Sequence, residues 1–361
     1  MWDLAVREED YSAVDAMLSR YAKAPLSMRL LPVFARGDSA ARARFIDEAT
    51  NSDSRQSQIS ARYVATFLED FAAAESLARL DLAERRRAPI RVGAQLFLAW
   101  LELARGRWSA GNAAFERAKR MEGATGVELE RAIAATMPFL EVPKADLGHI
   151  RVEVERMDPT SGSGAGTTGL ASTLRPHLRL YLLSVLSSRL GDDRAAARYA
   201  AELEALPAAP EAGPVGRDLA RTARADVALR NGRASEALAL LEPVRGEVPL
   251  ELVYYKVFAT VREFGQEHAR YLRAEALMAL QRYDEAGHWY RTAFQGSPAE
   301  LVYLAPGHRR QAQIHEARGE RGEAVTHYQR FIKLWAESEP AVRATVAEAQ
   351  ERLSTLSRAA R

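Results

Sequence analysis

Three histidines are the first residues in this chain whose type and spacing could do chemistry. His308 and His315 lie seven apart, and His327 follows twelve residues later. Seven residues are two turns of one helix, roughly 10 Å, too far for two imidazoles to share a zinc ion unless the chain folds back. No His-Glu-x-x-His pair occurs, and the absence of Cys removes thiolate ligands. No metal is therefore expected, and the three rings are expected on the surface. A second candidate is Gly164-x-Gly166-x-x-Gly169, a formal match to the dinucleotide fingerprint. That motif works only between a strand and a helix N-terminus, where backbone amides meet the pyrophosphate. Here it follows HIRVEVERMD, a helix-like end, and sits in a Gly/Ser/Thr run with no Gly-Lys-Ser/Thr after it. No cofactor is expected.

Nucleophilic chemistry has as little to build on. There is no Gly-x-Ser-x-Gly elbow, and no thiol. Acidic residues are plentiful but mixed with Arg along helical faces, the pattern of solvated ion pairs worth a few tenths of a kcal/mol each. Trp100, Trp108, Trp289, Trp335 and Tyr290 fall at helical spacing, which assigns them to core packing rather than to a cofactor stack. A non-enzymatic protein is expected.

The elements that would carry these residues are helices. Ala, Leu, Arg and Glu dominate the 361 residues, and runs of β-branched residues at period two are nearly absent. An apolar share of 47% against 27% charged residues excludes a largely disordered chain. With 50 basic and 48 acidic side chains spread along the length, no basic block marks a nucleic-acid footprint. The N-terminus lacks a basic segment followed by an apolar core, and no stretch reaches the ~18 apolar residues of a membrane span. A cytoplasmic location is expected for a free-standing chain, and none can be assigned to a fragment of a membrane-anchored protein.

Repetition gives the architecture. The segment EHARYLRAEALMALQRYDEAGHWYRTAFQGSP carries Ala274, Tyr283, Ala286, Tyr290, Ala293 and Pro298, at intervals that fit a two-helix hairpin closed by a proline. Ala312, Gly319, Ala324 and Tyr328 repeat the spacing downstream. Looser copies lie at Ala225, Gly232, Ala237 and Leu241, at Gly191 and Ala196, at Gly106, Trp108, Gly111 and Phe115, and at Phe71 and Ala74. The equivalent small residues 74, 111, 196, 237, 286 and 324 are unevenly spaced, and the wide step from 237 to 286 leaves room for an extra helix in LELVYYKVFATVREFG. The expected fold is all-α, an irregular helical-hairpin solenoid in two lobes. Residues 1–157 form an N-terminal helical lobe, 158–175 a flexible Gly/Ser/Thr linker, and 176–361 a C-terminal array ending in a capping helix.

In such an array the first helix of each pair lines the concave face. Projecting the hairpin register puts Tyr271, Glu275, Met278, Arg309, Gln313 and Glu316 on that face, with Asp226 and Arg230 from the copy upstream. The spacing resembles the tetratricopeptide repeat (TPR) family, most clearly at 267–300 and 305–340. Segments such as FLAWLELARGRW, RPHLRLYLLSVLSSRLGD and HYQRFIKLWAESEP resemble the repeat regions of some bacterial serine/threonine kinases and transcriptional activators. The resemblance implies a scaffold or sensor that docks a peptide or protein partner in a concave groove. It carries over no catalytic residue: there is no His-Arg-Asp and no Asp-Phe-Gly, and Glu263-Phe264-Gly265 is no substitute. The alternative is a structural protein whose solenoid faces pair with copies of itself as a homo-oligomer.

Overall fold

The computed structural model describes residues 10–21, 24, 26–51, 56–124, 126–158, 174–207, 214–244, 267–292 and 298–358. Every regular element among them is helical. The N-terminal half holds α1 (Tyr11–Leu18), α2 (Leu26–Ala35), α3 (Ser39–Asn51), α4 (Gln56–Phe67), α5 (Phe71–Arg79), α6 (Ala88–Ala104), α7 (Trp108–Lys119), α8 (Val127–Thr136) and α9 (Lys144–Arg156). Then follow α10 (Arg175–Leu190), α11 (Asp193–Ala205), α12 (Val215–Arg230), α13 (Ala234–Leu241), α14 (Glu267–Ala279), α15 (Tyr283–Thr292), α16 (Leu304–Ala317), α17 (Arg321–Leu334) and α18 (Arg343–Arg358). A 3₁₀ turn at Pro298–Tyr303 leads into α16. The expected extra helix at 250–265 lies outside the described residues, as do 159–173 of the expected linker.

The helices pack in consecutive pairs, and six hairpins share one turn. Each turn has a residue in the left-handed region: Glu69, Gly106, Gly191, Gly232, Gln281 or Gly319, with φ of 50, 72, 83, 72, 57 and 73°. In the last five, the amide of the next residue bonds a carbonyl five positions back, as Arg107 N–H does to Glu102 (3.0 Å) and Arg282 N–H to Leu277 (2.9 Å). Five residues after each left-handed position stands Ala74, Gly111, Ala196, Ala237, Ala286 or Ala324, all buried. The small side chain lets the second helix cross close to the first. Gly111 is the extreme case, since a Cβ there would lie 2.6 Å from the Leu103 side chain. Aspartates cap several second helices: Asp70 and Asp192 accept from the Ala73 and Ala195 amides, each at 3.0 Å.

A single large apolar core runs from Val14 to Ala349 and includes residues on both sides of segment 158–175. The chain's far end returns to its first half. The turn at 298–303 packs on α6. Trp335 Nε1–H donates to the Ala104 carbonyl (3.0 Å), Glu339 N–H donates to the Gly106 carbonyl (3.2 Å), and the Glu339 carboxylate accepts from Ser109 N–H (2.6 Å). Gly106 thus has two reasons to be glycine: its φ of 72°, and the Trp335 ring, 3.1 Å from where a Cβ would stand. Trp100, Trp108, Tyr290 and Trp335 are buried, as the sequence predicts, and Trp289 is half-buried with the Arg273 guanidinium 4.3 Å above its ring. No described helix is long and apolar enough to cross a membrane.

Candidate functional site

The closure of the two ends leaves a cleft of about 1110 Å³ between α2, α4 and α5 on one side and α15, α16 and α17 on the other. One wall is set by the turn between α4 and α5. Glu69 occupies the position that four of the other hairpins fill with glycine, at a steric cost of roughly 1 kcal/mol for a left-handed L-residue. Its carboxylate reaches across the cleft to His308 Nε2 on α16, at 2.8 Å, a contact between residues 239 apart in sequence. His308 Nδ1 meets His327 Nδ1 of α17 at 2.9 Å, and the His327 ring stacks on His315 with centroids 5.3 Å apart. His315 Nδ1 in turn bonds Glu320 Oε2 at 2.5 Å.

These three histidines correct the expectation of surface rings. His308 is buried and the other two are half-buried. The two-turn gap between His308 and His315 is bridged because α17 folds back along α16 and places His327 between them. Burial, together with the positive fields of His308, His315 and Arg330, lowers the His327 pKa to about 3, so that ring is neutral at neutral pH. Burial alone would raise the Glu69 pKa, but the hydrogen bond from His308 and the nearby Arg330 and Lys333 outweigh it, and the carboxylate stays ionised.

The rest of the cleft is amphipathic. Tyr11, Phe34 and Phe67 line its apolar side, and Arg291, Arg330 and Lys333 its polar side. Arg330 lies 3.8 Å from Glu69, whereas Arg291 and Lys333 form no ion pair among the described residues. Both are exposed, so the cleft keeps positive charge that no ion pair among the described residues takes up.

The positions projected onto the concave face do not line this cleft. Asp226, Arg230, Tyr271, Glu275 and Arg309 surround one smaller cavity of about 330 Å³, whose opposite wall is Pro138, Phe139 and Glu141 of the chain's own first half. Tyr271 stacks edge-on against Phe139 (5.3 Å) and lies beside Tyr303 (5.4 Å). Asp226 is buried and holds Arg230 at 2.9 Å. Glu275 receives the Arg310 guanidinium through both oxygens, at 2.8 and 2.5 Å, and also the Tyr290 hydroxyl. Burial would lower the Arg310 pKa, but Glu275 raises it, so the guanidinium stays charged. Met278 packs against the core, and Gln313 accepts from Arg310 at 2.9 Å. Glu316 accepts from Tyr328 (2.9 Å) and pairs with Arg352, while Arg309 donates to Glu348 (2.9 Å). Arg352 and Glu348 both lie on α18, so the last helix caps the polar edge of α16.

The cleft residues Glu69, Arg291 and Lys333 are absent from the sequence-derived set. Glu69 had a usable signal: it stands five residues before Ala74, where the repeat register asks for glycine. The cations had none, because the sequence mixes them with acids. In sequence comparison, no family model matches the chain, and no curated protein is significantly similar to it.

Proposed function

We propose that the protein is a TPR-like helical-repeat scaffold or sensor that binds an acidic peptide segment of a protein partner, without catalysis of its own. The observation that carries the reading is the cleft at the closure: about 1110 Å³, aromatic on one side, with Arg291 and Lys333 unpaired among the described residues on the other. Extended peptides need such a combination, with apolar anchors buried and carboxylates met by cations at the rim. The smaller cavity is a poorer candidate, because its charged walls are already matched to one another and it faces the chain's own segment at 138–141. Among the described residues the exposed large hydrophobics are Tyr21 and Ile46, which supplies no apolar face for self-pairing.

The test is capture from native lysate by the full chain, compared with the double reversal Arg291→Glu and Lys333→Glu. The two side chains are exposed, so the variant folds. Expected is loss of the captured partner and recovery of binding by a peptide of reversed charge. The same partner retained at the same yield by both forms removes the cleft as the binding surface.

A further inference from the structure

We propose that His315, His327 and Glu323 form a binding site for a divalent transition-metal ion of the zinc type. Glu323 and His327 are four apart on α17 and so share one helix face, and His315 faces them from α16. Each offers a ligand atom, and the three atoms lie within 4.8 Å of one another. Atoms at that spacing stand at most about 2.8 Å from a common centre, so each needs to move less than about 1 Å to reach zinc bond lengths of roughly 2.0–2.2 Å.

The surroundings prepare the two rings for that role. In its neutral form His315 gives its Nδ1–H to Glu320 Oε2, which leaves Nε2 as a lone pair. In its neutral form His308 gives its Nε2–H to Glu69, and its Nδ1 then accepts the His327 Nδ1–H. His327 is thereby also left with a free Nε2. Both imidazoles thus carry an outer partner of the kind that fixes ligand tautomers in metal sites, one through a carboxylate and one through a histidine–carboxylate relay. Glu323 is exposed and forms no ion pair among the described residues, so it can turn toward an ion. Two cations of the same hairpin are engaged elsewhere, Arg318 with Glu320 at 2.7 Å and Arg330 toward Glu69 at 3.8 Å.

Two imidazoles and one carboxylate suit zinc and its first-row neighbours rather than calcium or magnesium, which take all-oxygen shells. Three protein ligands leave a fourth position open, and one of them, His327, also lines the cleft.

The experiment uses the full chain freed of metal with a chelator and titrated with Co²⁺ and Zn²⁺. Expected are one equivalent bound, a visible Co²⁺ absorption of the four-coordinate type, and displacement of Co²⁺ by Zn²⁺. His315→Gln and Glu323→Gln should each weaken Co²⁺ binding tenfold or more. His288→Ala, an exposed histidine outside the cluster, should not change it. Circular dichroism confirms that each variant is folded, and the exposed Glu323 ensures that at least one is. Absence of stoichiometric binding at tens of micromolar metal overturns the site, as does binding unchanged in the folded variants.

Discussion

Lowering the pH from 7.5 to 5 should destabilise this protein through His268, and the size of the effect follows from where that ring sits. His268 opens α14 and is buried against α10 and α12. The Tyr181 hydroxyl bonds its Nδ1, and Asp226 Oδ1 lies 3.9 Å from Nε2, beyond hydrogen-bond reach. Burial lowers the pKa to about 4; Asp226 acts in the opposite sense, and Arg230 and Arg189 add to the lowering. The unfolded chain protonates near the ordinary 6.5. Above that value both states are neutral and the full stability is present. As pH falls from 6.5 toward 4 the unfolded state takes up a proton that the folded state refuses, so stability is lost. The loss is about 2 kcal/mol at pH 5 and about 3 kcal/mol below pH 4. His268→Gln keeps an acceptor for Tyr181 and removes the titration. Urea unfolding of both forms across pH 7.5 to 5, with chelator present, isolates the term. The stability difference between them should shift by about 2 kcal/mol in favour of the variant at the acid end. A difference that stays constant within about 0.5 kcal/mol would refute the burial argument.

Three substitutions test the hairpin register. Gly111→Ala gains helix propensity of about 1 kcal/mol but drives a Cβ against Leu103 and the Ala99 carbonyl, so a net loss of about 1–2 kcal/mol by urea unfolding is expected; a more stable variant contradicts the close crossing. Gln281→Gly relieves a left-handed φ of 57° at an exposed turn and should raise stability by about 0.5–1 kcal/mol. Glu69→Gly makes the same relief but frees His308, so it should gain less or lose, and equal gains at both turns would remove the special role given to Glu69.

The sequence by itself determined the helices and their pairing. Helix-forming composition, glycine in the turns and small residues five positions later are local features, and each acts within one hairpin whatever the rest of the chain does. The same locality explains why six small residues could be numbered in advance, and why Trp335 and Tyr290 were legible as core. What only the tertiary structure decided is the company those hairpins keep. Glu69 meets His308 across 239 residues, and Trp335 reaches the Ala104 carbonyl across 231. Phe139 closes over Tyr271, so a face that the register leaves open is met by the chain's own first half. His308 and His315 stand two turns apart on their helix, and only the return of α17 sets His327 between them. The contacts between the two halves depend on the summed rotations between successive hairpins, which no single segment encodes, and the cleft and the Glu69–His308 bond exist only where that sum brings the two ends together.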